Sequence, residues 1–160
     1  MRGTVREGII AGLLGAAAVA LWFLVLDVIA GRPLATPSIL GQVIILGDTS
    51  PELGRVSGTA VLGYTALHLA VFVLLGIIAA RLVDLAEREG LFRFALLMLF
   101  VVFEIFFYGL VQIGFMATSG LFPFWSVLTA NTLAAVVMGG WLYRQHPGLR
   151  TAFRSSPLGT

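Results

Sequence analysis

The sequence predicts an all-α integral membrane protein: a four-transmembrane-helix bundle with a short interfacial or re-entrant helix in the first outer connection. Three observations carry this. Hydrophobic residues make up 59% of the 160 positions, charged residues only 11%, and mean hydropathy is +1.00, well outside soluble composition. Apolar runs of about 20 residues, the length that crosses a hydrocarbon core of about 30 Å, fill most of the chain. The arginines, the only basic residues apart from two histidines, cluster on one side of a four-span arrangement. Residues 1–160 are therefore expected to form a single membrane domain, with spans near 8–30, 58–82, 94–118 and 124–143.

The first span, Gly8 to Ala30, follows the basic lead "MRGTVRE". Its apolar run is longer than the roughly 7 to 15 residues of a signal-peptide core, so an uncleaved span is expected. The first outer connection, Gly31 to Ser57, contains "TPSILGQVIILG". Here Thr36 reads as an N-cap, Pro37 as the first helical residue and Gly47 as a stop, which predicts a helix over 37–46, too short to span. The second span is Gly58 to Leu82. The segment "RLVDLAEREGLFR", Arg81 to Arg93, then reads as a cytoplasmic connection in which Asp84 and Arg88 form an i,i+4 pair. The third span, Phe94 to Thr118, is joined to the fourth by the short turn "SGLFPF", which makes those two helices antiparallel neighbours.

Orientation follows from the same arginines. Positions 2, 6, 81, 88, 93, 144, 150 and 154 fall on one side, and only Arg32 and Arg55 on the other. Both termini and the basic tail 144–160 are therefore placed in the cytoplasm, and the protein in the cell (inner) membrane. Trp125 at one end of the fourth span, with Trp141 and Tyr143 at the other, fits an aromatic belt.

Small residues recur every four positions in the first span, at Gly8, Gly12, Ala16 and Ala20. This spacing lets two membrane helices approach closely, either within the chain or between copies of it. Asn131, Ala135 and Gly139 form a similar stripe in the fourth span.

The polar residues inside the spans are the candidate site. Glu104 lies about 15 Å from the start of its span, near the bilayer centre, where a carboxylate facing lipid costs about 2.5 to 3.5 kcal/mol. Tyr108 and Gln112 follow at i+4 and i+8 on the same face. His68, the only histidine inside a span, is expected at nearly the same depth, with Tyr64 at i−4. Asn131 and Asp27 enter from the fourth and first spans, and Asp27 is near enough to an interface to be solvated or to pair with Arg32 or Arg55. A histidine beside a carboxylate in low dielectric is proton-exchange chemistry, whereas the same groups held neutral serve to fix helix register.

The remaining chemistries are poorly supplied. There are no cysteines, so disulfides, Fe–S clusters and thiolate sites are excluded. Asp27, His68 and Glu104 lack the Glu-x-x-His repeats and paired histidines of metal-binding bundles, and bis-histidine haem would need a symmetric dimer or a partner subunit. No metal, no cofactor and no nucleic acid is expected, and no nucleophile–base pair points to an enzyme. In carrying a lone central Glu the chain resembles small four-helix multidrug transporters, but here that Glu is in the third span rather than the first. The expected function is a non-enzymatic structural or accessory subunit with a polar intramembrane cluster, its partners the lipid bilayer and a homo-oligomer or larger membrane complex. The alternative is a small proton-coupled transporter using Glu104 and His68.

Overall fold

A computed structural model describes residues 2–51, 54–89 and 123–148, together with 94, 98, 99, 101, 102, 105, 108 and 109. Four helices are defined, α1 (Arg2–Ile29), α2 (Ala35–Ile44), α3 (Gly58–Arg88) and α4 (Phe124–Gln145), with no strand among the described residues. Of these, α1, α3 and α4 are long and apolar enough to cross a membrane. Most of the third expected span, 94–118, lies outside the described residues; its described positions are helical.

Helix ends follow local chemistry more closely than hydropathy does. α1 stops in a Schellman motif, in which the Gly31 N–H donates to Val28 O at 3.0 Å and the Arg32 N–H to Asp27 O at 2.8 Å. Gly31 has φ 70°, which a side chain would resist, and Pro33 then forbids continuation. α2 runs over 35–44 rather than 37–46, and Gly47 at φ 69° turns the chain so that the Asp48 N–H reaches back to Gln42 O at 3.0 Å. The Ser57 side chain caps α3 by accepting from Ala60 N at 3.4 Å. α3 does not stop at Leu82; the first eight residues of the expected connection continue the helix to Arg88, with the Asp84–Arg88 pair on its surface at 3.3 Å. Nothing in that stretch breaks a helix, and leaving the apolar run ends a span without ending the helix.

α1 is the centre of the packing. It runs antiparallel to α3, with Gly8 opposite Ile77 and Gly12 opposite Phe72 and Val73, and antiparallel to α4, with Gly15 beside Met138 and Trp22 reaching Ser126. α2 packs mainly on α3, where Gly41 lies directly on the backbone of Ala60. The core is built largely of alanine. One cluster joins Ala11, Ala80, Val83, Ala86 and Leu142, and a second joins Ala16, Val19, Phe72, Ala130 and Ala134. Small side chains at these crossings bring the helices close enough for backbone contact.

That contact is tightest between α1 and α3. A Cβ on Gly8 would lie 2.5 Å from Ile77 Cα, one on Gly12 2.7 Å from Val73 Cα, and one on Gly76 2.6 Å from Gly12 N. Gly8, Gly12 and Ala16 thus face α3 inside the chain, while Ala20 is exposed and lines a groove where the helices part. On α4 the buried face comprises Ser126, Val127, Ala130, Asn131, Ala134 and Leu142. Gly139, expected in a packing stripe, is exposed, with no described atom within 4 Å of the place its Cβ would take.

One geometric consequence concerns the route of the chain. α3 ends beside the start of α1, whereas α4 begins beside the end of α1. The connection from Glu89 to Pro123 therefore joins opposite ends of the bundle.

Gly12→Leu forces a side chain into the α3 backbone, which cannot yield as a flexible side chain would. It should lower thermal stability in detergent by about 3 kcal/mol or more, the upper end for overpacking. Gly139→Leu should stay within about 0.5 kcal/mol of the parent, as surface substitutions do. Equal melting temperatures for the Gly12 variant and the parent would show that the seam is not formed.

Candidate functional site

The polar residues of the spans are held by different devices. Asp27 sits in the last turn of α1, buried, and both its oxygens are occupied by one residue of α2: Oδ2 accepts from Thr36 N and Oδ1 from Thr36 Oγ1, each at 2.8 Å. The carboxylate thereby caps α2 from another helix and meets the partial positive charge of its N-terminus. Thr36 is accordingly not the N-cap. It lies inside the first turn, its hydroxyl is spent as a donor to Asp27, and the N-cap position falls to Leu34, at φ 65° and with no side-chain cap. Asp27 is engaged with neither Arg32 nor Arg55 in an ion pair among the described residues.

His68, on α3, meets α1. Its Nε2 stands 3.2 Å from Ala16 O, and because a carbonyl only accepts, the proton of the neutral imidazole is on Nε2 and Nδ1 is unprotonated. The ring is held between Tyr64, stacked at 5.8 Å and 28°, and Phe72, tilted at 4.6 Å. Below His68 the two helices are in backbone contact; above it they separate.

The separation leaves a lateral groove of about 190 Å³ among α1, α2 and α3. Its walls are mainly apolar, from Val19, Phe23, Leu24, Leu34 and Val61, and its polar members are Asp27, Thr36, Tyr64, Thr65 and His68. Three of the sequence-derived site residues, Asp27, Tyr64 and His68, thus share one groove. Asn131 does not line it. It is buried on the packed face of α4. Tyr108 packs edge-on against Phe124, with ring centroids 4.8 Å apart. Glu104 and Gln112 lie outside the described residues, and so does the expected pairing of Glu104 with His68. Among the described residues no three His, Asp or Glu side chains come together as a metal-binding group.

Several structural anchors were not singled out from the sequence. Ser38, buried on α2, accepts from Ser57 N at 2.9 Å and Gln42 Nε2 at 3.2 Å, which fastens the start of α3 to α2. Trp22 Nε1 donates to Ser126 O at 3.0 Å, and its ring meets Trp125 edge-on at 6.3 Å, fixing α1 against the start of α4. His146, assigned to a surface tail, is buried: Nδ1 donates to Leu142 O at 3.0 Å, and Nε2 stands 3.7 Å from Glu7 Oε2. A Trp near an interface is a legible anchor, but the partners of Ser38 and His146 lie on other elements and leave no local pattern.

No protein-family model, curated protein or solved structure matches the chain. Its class rests on its own physical features: among the described residues it is helical without strands, with three long apolar helices suited to a membrane.

Asp27→Ala removes a charged acceptor and leaves the Thr36 N–H and hydroxyl buried without it, a loss of about 2 to 3 kcal/mol. Thr36→Val keeps the backbone bond and should cost about 1 kcal/mol. Hydrogen exchange at the Thr36 amide, with thermal unfolding in detergent, reads both; protection unchanged in Asp27→Ala would remove the interhelix cap from the structure's account.

Proposed function

We propose that the chain is a non-enzymatic membrane subunit or scaffold, four-spanning, with both termini in the cytoplasm and α2 lying at the outer interface. The observation that carries this reading is where the interhelix hydrogen bonds end. His68 binds a backbone carbonyl of α1, Trp22 binds a backbone carbonyl of α4, and Asp27 binds the start of α2. Each polar side chain acts as a pin that sets the register of one helix on another, a use in which specificity outweighs energy, since such bonds average only about 0.6 kcal/mol in membranes. Large apolar side chains remain exposed along α1, α3 and α4, and no more than a third of each apolar window is buried within the chain, which leaves wide surfaces for lipid or a partner subunit.

The topology draws on two supports. A connection from Glu89 to Pro123 between opposite ends of the bundle calls for one more crossing. Arg2, Arg6, Arg81, Arg88 and Arg144 belong to the end where α1 begins, and Arg32 and Arg55 to the other. Because the chain has no cysteine, single-cysteine labelling is clean. Gly54→Cys should react with an impermeant reagent from outside the cell and Glu89→Cys should not; the opposite pattern reverses the orientation.

A proton-coupled carrier using Glu104 and His68 is the second reading, favoured by the groove that reaches His68. Against it, the Nε2 proton of His68 is committed to Ala16 O, and the α1–α3 seam beyond is in backbone contact. A relay needs a continuous path through both ring nitrogens or around the ring. Glu104→Gln separates the readings, since it keeps size and hydrogen bonding and removes ionisation. In proteoliposomes under a pH gradient, the scaffold reading expects parent and variant to assemble alike with equal proton flux. A parent flux that vanishes in a normally assembled variant would establish the carrier instead.

A further inference from the structure

Among the described residues, the end of the bundle that carries α2 holds two arginines, and they come from different connections: Arg32 follows α1, and Arg55 precedes α3. Although 23 positions apart in sequence, both line one cavity of about 220 Å³, together with Gly31, Pro33, Ser38 and Val56. For scale, an engineered cavity of about 150 Å³ admits benzene. Both arginines are exposed, and among the described residues neither forms an ion pair. Asp27 lines a different groove, the one bordered by Leu34, Thr36 and Pro37, and gives both oxygens to Thr36. Asp48 accepts from Ser50 N within its own turn.

Two cations at one cavity repel each other, and at the end of the bundle opposite the other described arginines they oppose the usual clustering of basic residues on one side. An anion between them relieves both costs. Guanidinium groups bind tetrahedral oxyanions through paired N–H donors, with geometry as well as charge. The position selects the ligand further. The cavity is lined by the residues that follow α1 and precede α3, which in the proposed spanning arrangement is the depth of lipid headgroups, and its walls pair the two cations with apolar Ile39, Val56 and Pro33.

We propose that the Arg32–Arg55 cavity binds a phosphate-bearing anion, taken either from a phospholipid headgroup or from free phosphate. The site goes beyond the scaffold reading and stands whichever end of the bundle faces the cytoplasm.

The test uses the full chain in mild detergent. Retention of phosphatidylglycerol is compared by native mass spectrometry with that of a galactosyl diacylglycerol of the same acyl chains, which lacks the phosphate. The parent should retain the phospholipid about tenfold better, Arg32→Gln and Arg55→Gln should each remove most of that preference, and the double variant should abolish it. Arg32→Lys, which keeps the charge but loses the paired donors, should fall between. Arg81→Gln, at the opposite end, should leave the preference intact, and because the substituted side chains are exposed, all variants should elute as folded protein. Inorganic phosphate at about 10 mM, a level above which weak ion binding saturates, then distinguishes the sources. Displacement of the lipid assigns the site to the phosphate group from either source, and Arg-dependent retention without displacement assigns it to the headgroup. Equal retention of phospholipid by the parent and the double variant, or no preference for phospholipid in the parent, would overturn the proposal.

Discussion

The backbone contact of α1 with α3 is the constraint on which the rest of the structure depends. In a bilayer, apolar side chains gain little by leaving lipid for one another, so two helices stay together through close van der Waals packing and a few hydrogen bonds. Gly8 and Gly12 meeting Gly76 and Phe72 supply that closeness at one end of the bundle. The same seam carries alanines at Ala11, Ala16 and Ala80, each almost fully enclosed. With α1 locked on α3, its other face is free to receive α4 through Ala130, Ala134 and Leu142. Few contacts run directly from α3 to α4.

The seam also determines where the molecule opens. Beyond Ala16 and His68 the side chains between the helices grow, with Val19, Phe23 and Tyr64 in place of glycine, and the axes separate. α2 closes the widened end. At 10 residues it is too short to hold a helix in isolation, and its formation depends on what meets its ends and faces. Asp27 meets the start, Gly41 brings the middle onto Ala60, and Ser38 ties the start of α3 to it. A carboxylate near a membrane surface is ordinarily a cost. Here the helix terminus it caps presents two donors and a favourable dipole, which offset that cost.

Much of this was legible in the residues. Gly47 was read as a stop and does turn the chain, because positive φ is a local demand, whereas Gly31 and Ser57, read only as the limits of the connection, prove to be a positive-φ turn and a helix cap. The stripe at Gly8, Gly12 and Ala16 showed a face for close packing, but spacing alone carries no information about what lies opposite. Gly139 illustrates the converse, a small residue at the right interval with no described atom close to it. Thr36 was placed correctly and given the wrong role, since its acceptor lies nine residues upstream on another helix and a capping pattern sees only its own neighbours. The extension of α3 to Arg88 escaped because hydropathy detects the membrane and not the helix. His146 escaped because a polar residue after a span looks solvated until Leu142 and Glu7 are seen on either side of it.

The first turn of α2 links these features into one arrangement. Leu34, Thr36 and Pro37 face the apolar groove, while Ala35, Ser38 and Ile39 face the arginine-lined cavity, so a single turn of helix is the wall between two chemically different spaces. That wall is positioned by the Asp27 carboxylate on one side and by the Ser38 hydroxyl on the other. Both anchors are buried, and both bind backbone N–H groups, whose positions are set by the chain path and not by rotamer choice. The helical wall shared by the two spaces is thus fixed by the fold, while Arg32 and Arg55 are carried on the connections beside it. The Asp27 carboxylate gives both oxygens to Thr36 and, among the described residues, forms no ion pair with Arg32, only five residues later in the chain. Among the described residues, the device that closes the bundle therefore leaves the side chains of Arg32 and Arg55 out of its own hydrogen bonds.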